Sequence, residues 1–436
     1  MELDRWTVAN SSRREWLAGA GSSLLLAASP VGASARPAHS NPVPAKTDDR
    51  PYDLLIKGGK VFDPSQNLEE ISDVAIRDAK VASLERDIPA GQARQVVDAS
   101  GKIVTPGLID VHTHVFPYVG PYGIEPDPYC VTRGVTTTLD AGTSGAFTFP
   151  AFRKFIIPQA ATRIRALLHV VCIGMVTGST PNMGELLDLR YCDPHLAVKV
   201  AEENRDLIVG FKIRFSEGYT GPNDLEGLRR ARAAADEARL PMMTHIGGSF
   251  TPLGQLLALL NKGDVVTHSF NSRIHGIVDQ DGKVTPEVQE ARQRGVLFDV
   301  GHGAGSFSFD VMEKCLRQGF LPDTISSDLY SANIHGPVYD FVTTLSKFLL
   351  LGMSLRDIFT RCTVNAARMF NWGAEIGTLK PGAEGDVSVL DLVSGDFTYT
   401  DSDRKTRQGS QKLVPVVTVR AGQLYFPELA GQVGRS

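Results

Sequence analysis

From Tyr52 to about Val104 the chain runs in short apolar stretches, each ended by turn residues. Leu54-Leu55-Ile56 meets Gly58-Gly59, Val61-Phe62 meets Asp63-Pro64, and Val74-Ala75-Ile76 meets Arg77-Asp78. Runs of this length, punctuated by glycine, proline and aspartate, predict the short strands of a small sheet. The far end has the same texture: Ile376 to Asp386 leads into Val387-Ser388-Val389-Leu390, and Val416 to Val419 ends in Ala421-Gly422. Two β-rich ends around a long middle predict one discontinuous β-sandwich domain, residues 51–105 and 374–436, enclosing a central domain at 106–373.

The middle alternates buried-looking strands with helical stretches such as Asp224 to Arg239 and Pro286 to Arg294. That alternation is the mark of repeated βα units. The strands read as Leu108 to Val115, Val135 to Asp140, Ala166 to Ile173, Ile208 to Phe215, Pro241 to Ile246, Val265 to Ser269, Val296 to Gly301 and Thr324 to Asp328. They predict an α/β fold, a (β/α)8 TIM barrel of the usual length of roughly 250 residues. Helices are expected at Val338 to Leu351 and Leu355 to Phe370.

The first segment differs from everything after it. Ser12-Arg13-Arg14-Glu15-Trp16-Leu17 precedes a mostly apolar stretch to Ala28 and then Ala33-Ser34-Ala35. A charged region, a short hydrophobic region and small residues at a cleavage point form a signal peptide. The paired arginines resemble a bacterial twin-arginine signal over residues 1–35. Residues 36–50, rich in Pro, Ser and Asn, read as a flexible leader. The apolar stretch is too short to cross a bilayer, which takes about 20 residues as a helix. A periplasmic or secreted protein without a stable membrane anchor is expected.

Composition narrows the partner. The chain of 436 residues is 42% hydrophobic and 22% charged, with a net charge of -4. It lacks the basic footprint of a nucleic-acid binder, so a small-molecule substrate is expected. The five cysteines are scattered, with no C-x-x-C pair, and fit neither a disulfide framework nor a thiolate zinc site.

Chemistry-bearing residues fall at the ends of the predicted strands, where a barrel opens its cleft. His112 and His114 end the first, and their spacing of two puts both side chains on one face of a strand. His245 ends the fifth, His268 the sixth and Asp328 the eighth. A lone histidine on an apolar strand is usually a satisfied core residue. Several at equivalent strand ends favour a divalent metal such as zinc, which suits neutral imidazole and carboxylate. Lys212 ends the fourth strand, where a salt bridge to a carboxylate such as Asp328 is the plain alternative.

Together Pro106-Gly107-Leu108-Ile109-Asp110-Val111-His112-Thr113-His114, Lys212, His245, His268 and Asp328 resemble the metal motif of the amidohydrolase superfamily, in its binuclear subtype with a strand-four lysine. Within it, Asp140-Ala141-Gly142, Gly210 to Arg214, Phe298 to Ser306 and Asp323 to Asp328 are similar to the amidohydrolase/deacetylase group of metallohydrolases. The resemblance covers about residues 52 to 425 and implies the following chemistry. By this resemblance, carbon dioxide converts Lys212 to a carbamate that bridges two divalent ions, zinc by donor type. His112 and His114 hold the more buried ion with Asp328, and His245 and His268 the more exposed one. A hydroxide between the ions attacks a carbonyl carbon, and Asp328, the catalytic acid–base, carries its proton to the leaving group. The implied substrates are small N-acyl amino acids or related acyl esters. Homo-oligomers are common in that superfamily, and the expectation extends to this chain.

Dihydroorotases of the superfamily usually place an arginine two residues after the second histidine, and Phe116 stands there. His302, at the end of the seventh strand, is expected to face the cleft and touch the substrate carbonyl or carboxylate, with capping of the Gly-rich turn Gly301 to Gly305 as the structural alternative. Arg214 and Arg153 match a carboxylate's fork geometry, although surface salt-bridging explains either alone. Cyclic amides of hydantoin or imide type, lactones and aryl esters are the neighbouring substrate classes. A non-catalytic scaffold paralogue would have lost ligands, and none of the six is lost.

Overall fold

The sequence places three apolar residues in a row, Leu54-Leu55-Ile56, inside β1 (Tyr52–Asp63), and all three are buried. A strand covered on both faces reads as such a run. β2 (Leu68–Arg77) pairs with β1 antiparallel, Leu54 opposite Ile76, and β3 (Lys80–Glu85) extends β2. β4 (Ala93–Asp98) and β5 (Ile103–Pro106) both run parallel to β1. The computed structural model describes residues 49–427 apart from 179, 181 and 374. The expected export signal and nearly all of the leader lie outside the described residues.

A second sheet is wholly parallel. It runs in chain order through β6 (Leu108–Thr113), β7 (Val135–Gly145), β8 (Arg163–His169), β9 (Ile208–Arg214), β10 (Met242–His245), β11 (Val265–Thr267) and β12 (Leu297–Phe298). Ile109, Val111, Leu139, Ala141, Leu167, Met243 and Val265 fill its interior, with Ala366, Ala367 and Phe370 packed against them. The expected eighth strand is present as an extended segment without a continuous ladder. Val300 N–H donates to Thr324 O at 3.2 Å and His302 N–H to Ser326 O at 3.1 Å, while Asp328 N–H donates to His112 O at 2.7 Å. These bonds join β12 back to β6 and close the curl. Positive φ at Gly301 (50°), Gly303 (55°) and Asp328 (48°) takes the backbone out of the extended region, which breaks the ladder there.

After the barrel, β13 (Val387–Thr400) pairs with β5, β14 (Thr406–Arg420) with β13, and β15 (Gln423–Tyr425) with β14. The small sheet is therefore built from both ends of the described chain. Its core includes Ile56, Val61, Val74, Ile76, Val104, Val389, Val417 and Val419.

Helices cover the outside of the barrel. Asp224–Ala238 buries Leu228, Ala231, Ala234, Ala235 and Ala238, a stripe of helical period. The single helix expected from Leu355 to Phe370 is two, Leu355–Cys362 and Val364–Met369, separated by Thr363 at φ -129°. The Thr363 hydroxyl donates to Phe359 O, a local bond that competes with helix continuation.

Candidate metal centre

Strict alternation along β6 puts Ile109 and Val111 in the barrel interior and would aim His112 outward. An irregularity in the β6–β7 register between Asp110 and Thr113 resets the alternation. His112 and His114 consequently line the cleft at the mouth of the barrel, together with Lys212, His245, His268 and Asp328. All six metal-ligand candidates thus meet in one pocket, with a cavity of about 330 Å³. Ligand atoms of His112, His268 and Asp328 lie within 4.8 Å of one another. Asp328 Oδ1 is 3.3 Å from His112 Nε2 and 3.1 Å from His114 Nε2. The His245 and His268 rings are 4.1 Å apart, and the His112 and His268 rings 4.8 Å. His268 lies against both His112 and His245, so the side chains do not divide cleanly into the two expected groups.

Hydrogen bonds behind the rings fix which nitrogen faces the cleft. Thr267 Oγ1 donates to Asp299 Oδ2 at 2.7 Å, and the same oxygen sits 2.8 Å from His112 Nδ1, so it accepts from that nitrogen. Asp299 also accepts from Thr324 at 2.6 Å and Ser326 at 2.7 Å. His268 Nδ1 donates to Gly301 O at 2.6 Å, and His114 Nδ1 sits 2.7 Å from Thr143 Oγ1. With Nδ1 carrying the proton, the lone pair of His112 at Nε2 faces the Asp328 carboxylate. Acceptor facing acceptor at that distance is repulsive unless a cation lies between them. Outer-shell pinning of this kind is what orients imidazoles for a metal, and the donor set fits divalent ions of the zinc type.

Electrostatics agree. Burial holds His114 at about 3 and His268 at about 4, and keeps His112 and His245 well below the ordinary range, so all four rings are neutral. Burial lifts Asp328 to about 6. Lys212 is 1% exposed, and burial brings it down to about 7. The salt bridge to Asp328 that would explain it plainly is not formed: its polar neighbours are His112 Nε2 at 3.3 Å and Met243 Sδ at 3.8 Å. Gly142, at φ 88°, leaves room beside it, since a Cβ there would sit 2.6 Å from Lys212 Cβ and Cγ. His268 and Asp328 themselves adopt positive φ, 64° and 48°. Non-glycine residues are held so at functional sites, at roughly 1–3 kcal/mol each.

His302 corrects an expectation. Its ring points away from the cleft, 2.7 Å from Lys347 Nζ, donates from Nδ1 to Gly303 O at 2.9 Å, and stacks on Phe307. It is wholly buried and holds the loop beneath Asp328 rather than the substrate. The reason is the positive φ of Gly301 and Gly303, which turns the side chain between them outward. Arg214 does line the cleft, but it is buried and forks Glu185 at 2.7 and 2.6 Å, between the rings of Tyr219 and Tyr122. Its pairing is thus internal, not at the surface. Arg153 pairs with Asp206 on the surface. Phe116 is buried and stacks on Phe152, 4.6 Å between ring centres, so that position offers a substrate no charge. The five cysteines are buried and unpaired.

Sequence reasoning missed Tyr122, Tyr219, Tyr330, Arg273 and Glu185. Tyr330, two residues after Asp328, and Arg273, in the loop after His268, were marked only by lying just beyond strand ends.

No protein-family model matches the chain. A curated protein named deacetylase, from Enterococcus faecalis, is 35% identical over 378 residues, which cover 86% of this chain and 99% of that protein. Among solved structures, an adenine deaminase is 35% identical with a TM-score of 0.79, covering 86% of this chain and 100% of the other. A dihydroorotase is 30% identical with a TM-score of 0.78, covering 86% and 97%. With the barrel and its cleft, these relatives identify the chain as a hydrolytic enzyme of the amidohydrolase superfamily.

Proposed function

We propose that the enzyme hydrolyses the amide or ester bond of a small acylated molecule, with an N-acyl amino acid as the representative substrate. The observation that carries this reading is the convergence of four neutral imidazoles, Asp328 and a buried lysine with no ion pair among the described residues at the mouth of the barrel. His112, His114, His245, His268 and Asp328 would hold two divalent ions, zinc by donor type. Such a pair supplies Lewis acidity at a carbonyl oxygen and lowers the pKa of water.

Lys212 would complete the set. Its neutral amine attacks carbon dioxide, a C–N bond forms, one proton leaves to solvent, and the carbamate's two oxygens become available as ligands. This would turn a buried amine among neutral histidines into an anion whose charge the divalent ions would balance. Asp328 takes the proton of the attacking water and delivers it to the leaving nitrogen or oxygen. The walls of Tyr122, Tyr219 and Tyr330 shield the reacting carbonyl from bulk water. A cavity of about 330 Å³ suits a small substrate.

The deacetylase-named relative supports the acyl reading, and the dihydroorotase likeness keeps cyclic amides as the second reading. Turnover assays on N-acyl-D- and N-acyl-L-amino acids, hydantoins and lactones test the choice. Acyl substrates should turn over fastest; exclusive action on a cyclic amide would overturn it. Export by the twin-arginine route is proposed on the first 35 residues alone, and cell fractionation tests it.

A further inference from the structure

The cleft contains two arginines with opposite circumstances. Arg214 is committed: besides Glu185, its Nη2 donates to Gly178 O at 2.9 Å and its Nη1 to the Tyr122 hydroxyl at 3.2 Å. Burial alone would raise the Glu185 carboxyl, but the Arg214 charge outweighs it and holds Glu185 at about 2. That pair is neutral as a unit and has little left for a ligand.

Arg273 is exposed at the rim of the same cleft. Its side chain makes one hydrogen bond, Nε to Gly305 O at 3.2 Å, and it has no acidic partner among the described residues. Its backbone is nevertheless held in place. Buried Asn271 donates from Nδ2 to His268 O at 2.7 Å and accepts at Oδ1 from Arg273 N at 2.8 Å. One side chain thus ties a metal-ligand candidate to this arginine. His275 Nδ1, 3.0 Å from Ser249 O, joins the same loop to the one after β10. Glycines surround the guanidinium: a Cβ on Gly305 would sit 2.9 Å from Arg273 Nη2, and one on Gly247 3.7 Å from its Cδ.

We propose that Arg273 determines substrate choice by receiving, through its free Nη1 and Nη2 donors, a carboxylate carried by the acylated substrate. This rests on the acyl-hydrolase reading above. A planar fork of donors matches a carboxylate, and a charge-assisted pair at a rim half-shielded from water discriminates well against an uncharged analogue. Because Asn271 sets Arg273 relative to His268, the carboxylate and the scissile carbonyl bind at a set separation. Substrates with the carboxylate near the cleaved bond are therefore selected over longer homologues.

The test compares N-acetylalanine, as both enantiomers, with N-acetylalaninamide on the metal-loaded enzyme and on Arg273→Met and Arg273→Lys. The wild type should prefer the acid. Arg273→Met should cut the acid-to-amide ratio of kcat/KM by roughly 10- to 100-fold, mainly through KM, and Arg273→Lys should restore part of it. Metal content should be the same in all three. Calorimetric binding of the acid and the amide is measured alongside. Acid binding that depends on Arg273 without turnover upholds Arg273 and overturns the hydrolytic reading. An unchanged acid-to-amide ratio in both turnover and binding overturns the role of Arg273.

Discussion

Lys347 Nζ lies 2.7 Å from His302 Nε2 and also donates to Pro337 O and Thr400 O, both at 2.8 Å, with no carboxylate among these partners. One buried amine therefore joins the loop that carries Asp328 to the barrel helix Phe341–Leu350 and to β13 of the small sheet.

Burial brings Lys347 down to about 7 from its ordinary value near 10.5. Between those values the unfolded chain binds a proton that the folded one does not, so this group makes folding more favourable as pH rises from 7 towards 10. Lys347→Met removes the amine's hydrogen bonds to Pro337 O and Thr400 O and should destabilise by about 1–3 kcal/mol. The deficit should be larger at pH 9.5 than at pH 7.5. Denaturant unfolding at the two pH values checks this; an equal deficit at both would refute the buried neutral amine.

Much of the scaffold was legible because strands of a parallel barrel are buried on both faces and read as apolar runs, and because the ligands stand just past those runs. The β6 irregularity was not legible: spacing alone put His112 and His114 on one face, but only pairing with β7 shows what aims that face inward. His302 misled for a related reason, since positive φ at its glycine neighbours reverses where the side chain points. Arg273 and the Asn271 bond that places it belong to a loop, whose path no periodicity encodes.

Gly303, at φ 55°, approaches Asp328 so closely that a Cβ would collide with its Oδ2. Gly303→Ala should move the carboxylate and lower kcat by 10-fold or more, about 1.4 kcal/mol in barrier. Gly382, also at positive φ but with nothing within 4 Å of an added Cβ, provides the control. Gly382→Ala bears backbone strain without contact and should leave kcat within roughly twofold. Similar kcat values in both variants would contradict the contact.

Glu185 sits fully buried between Arg214 and His169, whose Nε2 is 3.5 Å away. Removing one partner leaves the other charge uncompensated, which costs about 3–5 kcal/mol. Glu185→Ala should therefore lower the melting temperature by several degrees, and Glu185→Gln by less because the amide oxygen still accepts. A thermal shift within error for Glu185→Ala would show that the pair is not buried in solution.

Asp328→Asn keeps the shape of the side chain and removes the proton acceptor. Turnover should fall by roughly 10²–10⁴-fold, the range for a positioned acid–base group, with the fold and substrate binding retained. Steady-state kinetics on a turned-over acyl substrate decide it, and near-normal kcat would remove Asp328 from that role.

The most direct test of the central claim is metal content after reconstitution with zinc and bicarbonate, measured on the wild type and on Lys212→Ala. The wild type should hold two divalent ions per chain, with electron density for a carbamate extending from Lys212 Nζ in a crystal structure, and Lys212→Ala should hold fewer. One ion or none in the wild type, or two in Lys212→Ala without loss of affinity, would contradict a binuclear centre built on this lysine.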